Sequence, residues 1–275
     1  MNKALAPTSC RFSNARSPVF GSDKKKLTEV SFSEVSFSIA SHAAWAPTVE
    51  TKEAWVTWAN TNYYISGDAT APVDAVPPML RRRAGFLGKM ALEVAYQCLD
   101  RRLDVPTVFS SRHGDAARSA DLLLDLAKDV PISPTSFGLS VHNAIGGLFS
   151  IARGDHSSNV ALAAGQSSVE HAVIEACGML AEGEPEVLLV VYDCPLPTLY
   201  RAFQDCDEQP YAWAWLMHPP ADDVVSLTWS YALGHRSSTL KGLPGGLEIL
   251  RFYLRKDPTL ERISDTRRWR WSRHG

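Results

Sequence analysis

Between residues 80 and 192 the apolar positions switch repeatedly between two periods. Phe86, Leu87, Met90, Val94 and Cys98 recur at three- and four-residue spacing, which predicts a core helix. Short apolar runs then alternate with helical ones: a strand from Thr107 to Ser110, a helix from Ala117 to Ala127, a strand from Ser136 to Val141 and a short helix from Ala144 to Ala152. A strand from Asn159 to Ala164, a helix from Ser167 to Ala181 and an apolar run from Val187 to Tyr192 complete the series. Such alternation predicts an α/β domain whose sheet is covered by helices on both faces, with right-handed crossovers. Two further strands, Ala212 to Met217 and Val224 to Tyr231, read as an antiparallel pair joined through His218 to Asp223 that closes an edge.

Upstream the pattern is less regular. Residues 1 to 26 read as a flexible tail ahead of a single domain at 27 to 260. The unit Glu-Val-Ser-Phe-Ser occurs at 29 to 33 and again at 34 to 38. Five is odd, so the two copies point their apolar residues to opposite faces of one strand, and only one can suit a core. The second copy is favoured, because it runs on into Ile39 and a tryptophan cluster of Trp45, Trp55 and Trp58. The stretch from Ile65 to Pro78 is rich in Ala, Pro and Asp and reads as a loop.

Composition narrows the class without naming a function. Apolar residues make up 45% and charged residues 21% of the 275, an ordinary globular balance. A net charge of -2 gives no general reason to expect nucleic acid or an anionic membrane as a partner. No apolar run approaches the roughly 18 residues of a membrane span. The first residues lack the apolar core of a secretory signal, so the expected location is the cytoplasm. Five widely separated cysteines, without a close metal-ligand pair, read as reduced thiols, and no metal or cofactor is expected.

The candidate chemistry gathers at Gln166, where a strand passes into a helix. Such an elbow exposes a side chain, and the helix N-terminus activates a nucleophile there. A carboxamide cannot use that field. The surrounding sequence, ISPTSFGLSVHNAIGGLFSIARG followed by SSNVALAAGQSSVEHAVIEACGMLAEGEPEVLLVVYD, resembles the N-terminal half of β-ketoacyl synthases of the thiolase-like fold. Asn143, Gly147 and Gly154 occupy the family's Asn, Gly and Gly places. The position of the family's nucleophilic Cys, seventeen residues before Gly183, is Gln166.

The resemblance implies a truncated thiolase-like fold. The family's two His and its Lys come from a second α/β half, and about 44 residues follow Tyr231, too few for one. It implies no catalytic residue and a role like that of the chain-length factors of type II polyketide systems, which carry Gln at this position and form heterodimers with a catalytic synthase subunit. Ser-Val-His-Asn at 140 to 143 and Arg-His-Gly-Asp at 112 to 115 look most like the small subunit of aryl-polyene synthesis. The family's dimer contact falls on Asn159 to Ala164, including Asn159, Val160 and Leu162. Its acyl-tunnel wall falls on Ser140 to Gly147, with His142, Asn143 and Ala144, and on Ala164 to Ser168, with Gly165, Gln166 and Ser167. An acyl carrier protein is a further implied partner. A solitary acyl-binding module is an alternative, one that would retain lipid without a partner.

Plainer readings stand beside these. Gln166 also suits an ordinary helix N-terminus, and Asn143 a helix cap. Arg112-His113-Gly114 after a strand matches the short motif of histidine phosphatases, with His113 as phosphoryl acceptor and Arg112 as oxygen clamp. The bland alternative is a polar loop capping the next helix. Residues 261 to 275 interleave arginines with Trp269 and Trp271 and read as a basic, tryptophan-rich tail. That tail packs its rings on the domain, contacts an acidic carrier or the synthase, or binds nucleic acid.

Overall fold

A computed structural model describes residues 33–61, 63–232, 242–264 and 266–274. The proposed N-terminal tail, the first Glu-Val-Ser-Phe copy and Cys10 lie outside the described residues.

Among the described residues, one mixed sheet of eight strands organises the domain, in the order β3-β2-β4-β5-β1-β6-β8-β7. Its strands are β1 (Ser33–Trp45), β2 (Thr107–Ser110), β3 (Asn159–Leu162), β4 (Val187–Asp193), β5 (Tyr211–His218), β6 (Val224–Tyr231), β7 (Thr259–Ser264) and β8 (Arg267–His274). β2 pairs in parallel with β3 and β4, and the remaining pairs are antiparallel. The helices are α1 (Lys52–Thr61), α2 (Pro78–Arg81), α3 (Phe86–Leu99), α4 (Ala116–Ala127), α5 (Pro134–Gly138), α6 (Ala144–Arg153), α7 (Ser168–Ala181) and α8 (Gly245–Arg255).

Two apolar cores sandwich the sheet, as continuous apolar strands require. On one face Trp213, Trp215, Val187 and Trp271 meet α1, α7 and α8 through Trp55, Val173 and Leu250. On the other, Phe109, Leu188 and Tyr192 meet α3 and α6 through Met90, Val94 and Phe149. The second Glu-Val-Ser-Phe-Ser copy is the one inside β1, burying Val35 and Phe37. The expected tryptophan cluster is divided between the cores: Trp55 and Trp58 lie on one face, Trp45 on the other.

Three expectations are corrected. Residues 136 to 141 are not a strand; Pro134–Gly138 is a helical turn whose Ser133 Oγ accepts from Ser136 N at 3.3 Å, with Pro134 in the first turn. Capping and proline geometry there override the strand-like composition. β5 and β6 do not pair with each other. β1 lies between them, giving Ser38–Trp45 to β5 and Ser33–Phe37 to β6, so the two strands are central. The basic stretch from 261 onward is not a tail either: β7 and β8 extend the sheet, and Trp269 and Trp271 are fully buried in it.

The parallel strands β2 and β4 end side by side at Ser110 and Asp193, and β3 forms the outer edge beside β2. Carboxyl ends of parallel strands are where open α/β sheets place ligands. The elbow stands there.

Candidate functional site

Gly165 makes the turn between β3 and α7, with φ at +57° in the left-handed region that glycine tolerates. Ala164 N donates to Ser168 Oγ at 3.0 Å, and that hydroxyl donates to Gly165 O at 2.8 Å. The turn is thereby tied to the first residue of α7, and Gln166 projects at the helix N-terminus, exposed in a cleft of about 270 Å³. Its Nε2 donates to Asp205 Oδ2 at 2.8 Å. Arg112 Nη2 donates to the same oxygen at 2.8 Å, and Arg112 Nη1 lies 3.4 Å from Cys206 Sγ. Burial pushes the Asp205 carboxyl up, but the Gln166 amide and the Arg112 charge hold it below the usual carboxylate range.

Behind the elbow stands an ion cluster. Arg262 from β7 is paired with Glu170, fully buried on α7, and with Glu248 of α8 at 2.7 Å. Its Nη2 also donates to Gln166 O at 3.3 Å. Below the β2 end, Asp193 Oδ1 accepts from Ser111 Oγ at 2.8 Å and Arg112 N at 2.9 Å. Burial raises the Asp193 carboxyl to about 6 despite those bonds.

What this arrangement can do chemically is limited. Among the described residues no histidine lines the cleft, and its one thiol, Cys206, is pushed by burial up to about 12. Among the described residues that line the cleft, no nucleophile and base are brought together. Among the described residues, no group of three His, Cys, Asp or Glu side chains is placed to hold a metal ion. No helix among them is long and apolar enough to cross a membrane.

The model of the β-ketoacyl synthase N-terminal domain matches residues 55–272. The chain belongs to the β-ketoacyl synthase family. Similar solved structures agree. A chain of the ketosynthase (ApeO) in complex with its chain length factor (ApeC) from Xenorhabdus doucetiae superposes with a TM-score of 0.73 at 26% identity, over 86% of this chain and 99% of that one. The ishigamide ketosynthase/chain length factor gives 0.57 at 13% identity, over 72% and 68%. A β-ketoacyl synthase from Burkholderia phymatum gives 0.53 at 11% identity, over 73% and 65%; at such identity these last two speak to the fold alone. No curated protein sequence matches.

Within this ketosynthase-like domain, the residues expected at the interface and tunnel wall fall into three groups. Asn159, Val160 and Leu162 are half-buried on edge strand β3, and Asn159 Nδ2 donates to Thr107 Oγ1 at 2.8 Å. Ala164, Gly165, Gln166 and Ser167 form the elbow; Ser167 is buried, its hydroxyl 2.7 Å from that of Ser264. Ser140, His142, Asn143, Ala144 and Gly147 surround the start of α6. Ser140 Oγ donates to Phe137 O at 2.8 Å, and His142 Nε2 lies 2.9 Å from Ser111 O. Asn143 precedes α6 without a side-chain cap bond, and Gly147 faces open space.

The phosphatase reading fails on geometry. Arg112 is turned toward the elbow and neutralised by Asp205, whereas His113 lines a different cavity, with Glu208 Oε1 3.8 Å from its Nε2. The two side chains do not converge on a phosphoryl site. Asp205, Asp193 and the Glu170–Glu248–Arg262 cluster escaped the sequence reading. Glu170 carried a usable signal: an acid amid the apolar residues of α7, four positions after Gln166, demands a buried cation. Arg262 was visible only as part of the basic terminal run.

Proposed function

We propose that this chain is a non-catalytic, chain-length-factor-like partner of a β-ketoacyl synthase, which it stabilises as a heterodimer and whose acyl tunnel it helps to shape in polyene-type synthesis. The observation that carries the reading is the state of β3. It leads straight into an elbow holding an inert carboxamide, and among the described residues it is one of the two edges of the sheet, β7 being the other. An open edge invites a further strand. Ser158 O and Leu162 O accept from β2, so by strand alternation the backbone groups of Ala161 face outward. Exposed Val141, in the turn before α6, and Ile151, near the end of α6, add apolar surface beside and on the helix that packs over β3. Similarity to a chain of the ketosynthase and chain-length-factor complex from Xenorhabdus doucetiae supports the same role.

The test is co-expression with a full-length β-ketoacyl synthase of the same genome. A one-to-one complex is expected, with condensing activity that disappears when this chain is omitted. Ala161→Pro removes an outward N–H while leaving the bonds to β2, and edge strands tolerate such a proline. It should leave the melting temperature within a few degrees and abolish the complex. A stable monomer indifferent to any synthase would sink the proposal. In the intact complex, Ala144→Trp and Gly147→Phe should shorten the product; unchanged product lengths would remove the tunnel role alone.

A further inference from the structure

A cavity of about 630 Å³, larger than the elbow cleft, lies away from the elbow. It opens on the other side of the same strand ends. Arg112 lines the elbow cleft and His113 this cavity; Asp193 lies beneath the elbow and Cys194 lines this cavity. Its size falls in the range of small-molecule sites. Its apolar lining comes from separate segments of the chain: Ile65, Phe86, Leu87, Leu122, Pro195 and Pro210. None of the residues that the family resemblance assigns to the tunnel wall lines it.

The charges at its mouth select the ligand. Asp115 and Arg118 cancel in an ion pair of 2.9 Å, leaving Asp121 and Asp125 of α4 to set a negative potential. His113 adds no compensating charge near neutrality, since burial first and the Arg112 charge second lower its pKa below the ordinary value. Carboxylates and phosphates are therefore disfavoured at the entrance. An uncharged apolar group meets no such penalty and gains the desolvated floor.

We propose that this α3–α4 cavity is a binding site for an uncharged hydrocarbon chain, such as the distal part of an acyl or polyenyl group whose carboxyl carbon is held elsewhere as a thioester. The proposal deepens the synthase-partner reading and rests on it for the source of the chain. Binding itself is a property of this protein alone, so failure to bind and failure to form a complex are separate results.

Parinaric acid, a fluorescent polyenyl fatty acid, and its methyl ester share one chain and differ in charge. Titrated at pH 7.5 into the purified full-length protein, the ester should bind saturably with one site, and the acid at least tenfold more weakly. Ala117→Trp and Ser136→Trp, both at accessible positions of the cavity wall, should each weaken the ester at least tenfold with an unchanged far-ultraviolet spectrum. Asp121→Asn combined with Asp125→Asn should bring the acid to within about threefold of the ester. Non-saturable ester binding, or binding indifferent to both tryptophan variants, would overturn the site. An acid that binds as tightly as the ester would overturn the charge argument and identify a free fatty-acid site instead.

Discussion

The side-chain amide of Gln166 donates to Asp205 Oδ2 at 2.8 Å, on the oxygen that Arg112 already occupies. The residue that the family resemblance sets at the nucleophile's place therefore acts as a neutral clamp between the elbow and the segment at 205. Gln166→Cys removes the clamp without adding a base, because among the described residues no histidine lines the cleft. It should lose about 1 kcal/mol of stability, the ordinary worth of one hydrogen bond. Condensation of acyl and malonyl thioesters should stay at background when the purified variant is assayed. Turnover by Gln166→Cys alone would show a catalytic base supplied from elsewhere.

Gly146 and Gly147 are neighbours in α6 with opposite tolerances. A Cβ on Gly146 would stand 2.3 Å from Asn159 Oδ1, whereas one on Gly147 meets nothing within 4 Å. Gly146→Ala forces the Asn159 amide off Thr107 Oγ1 and Gly146 O, and should cost about 1–3 kcal/mol. Gly147→Ala replaces a helical glycine in open space and should gain about 0.5–1 kcal/mol in the isolated protein. Chemical denaturation of the two variants checks both signs. Equal effects would mean that α6 is not seated on β3 through Asn159.

How much of this was legible follows from range. The β2–α4, α6 and β3–α7–β4 series could be read because hydrophobic period and turn residues are local signals, and Gln166 stood out through its spacing to Gly183. The strand expected at 136 to 141 failed because a Ser-Pro cap outweighs Phe, Leu and Val in a short segment. The place of β1 between β5 and β6 was hidden, since pairing between residues 167 to 196 positions apart leaves no local trace. The partners of Gln166 were hidden for the same reason: Asp205 and Arg262 lie 39 and 96 positions away.

Arg262 joins the last hairpin to the elbow. Its guanidinium serves Glu170, Glu248 and the Gln166 carbonyl at once, and only about a tenth of the side chain is exposed. Burial works against its charge, but the two carboxylates outweigh that penalty and raise its pKa. Arg262→Met leaves the buried Glu170 carboxyl without its cation, at a cost of about 3–5 kcal/mol. For a domain of this size that lowers the melting temperature by about 10 °C. Arg262→Met combined with Glu170→Leu should recover most of the loss, since removing both charges is far less costly than stranding one. A double variant no better than the single would show that Glu170 does not depend on Arg262.

Asp193 gives the fold a pH dependence that one substitution isolates. Its carboxyl is buried and raised to about 6, first by burial, against the opposing bonds from Ser111 and Arg112 N. The folded state thus binds the proton more tightly than the unfolded chain does, and the resulting stabilisation is complete below about pH 4. It is lost as pH rises through about 6, and a shift of roughly two pH units corresponds to about 3 kcal/mol. Asp193→Asn keeps an acceptor for Ser111 and Arg112 N and never ionises. The stability of the native protein relative to Asp193→Asn should therefore fall by about 3 kcal/mol between pH 4 and pH 7.5 and change little above that, as read from urea unfolding at each pH. A difference that stays flat across this window, or that grows with pH in favour of the native protein, would mean that the Ser111 and Arg112 bonds outweigh burial and keep Asp193 ionised throughout.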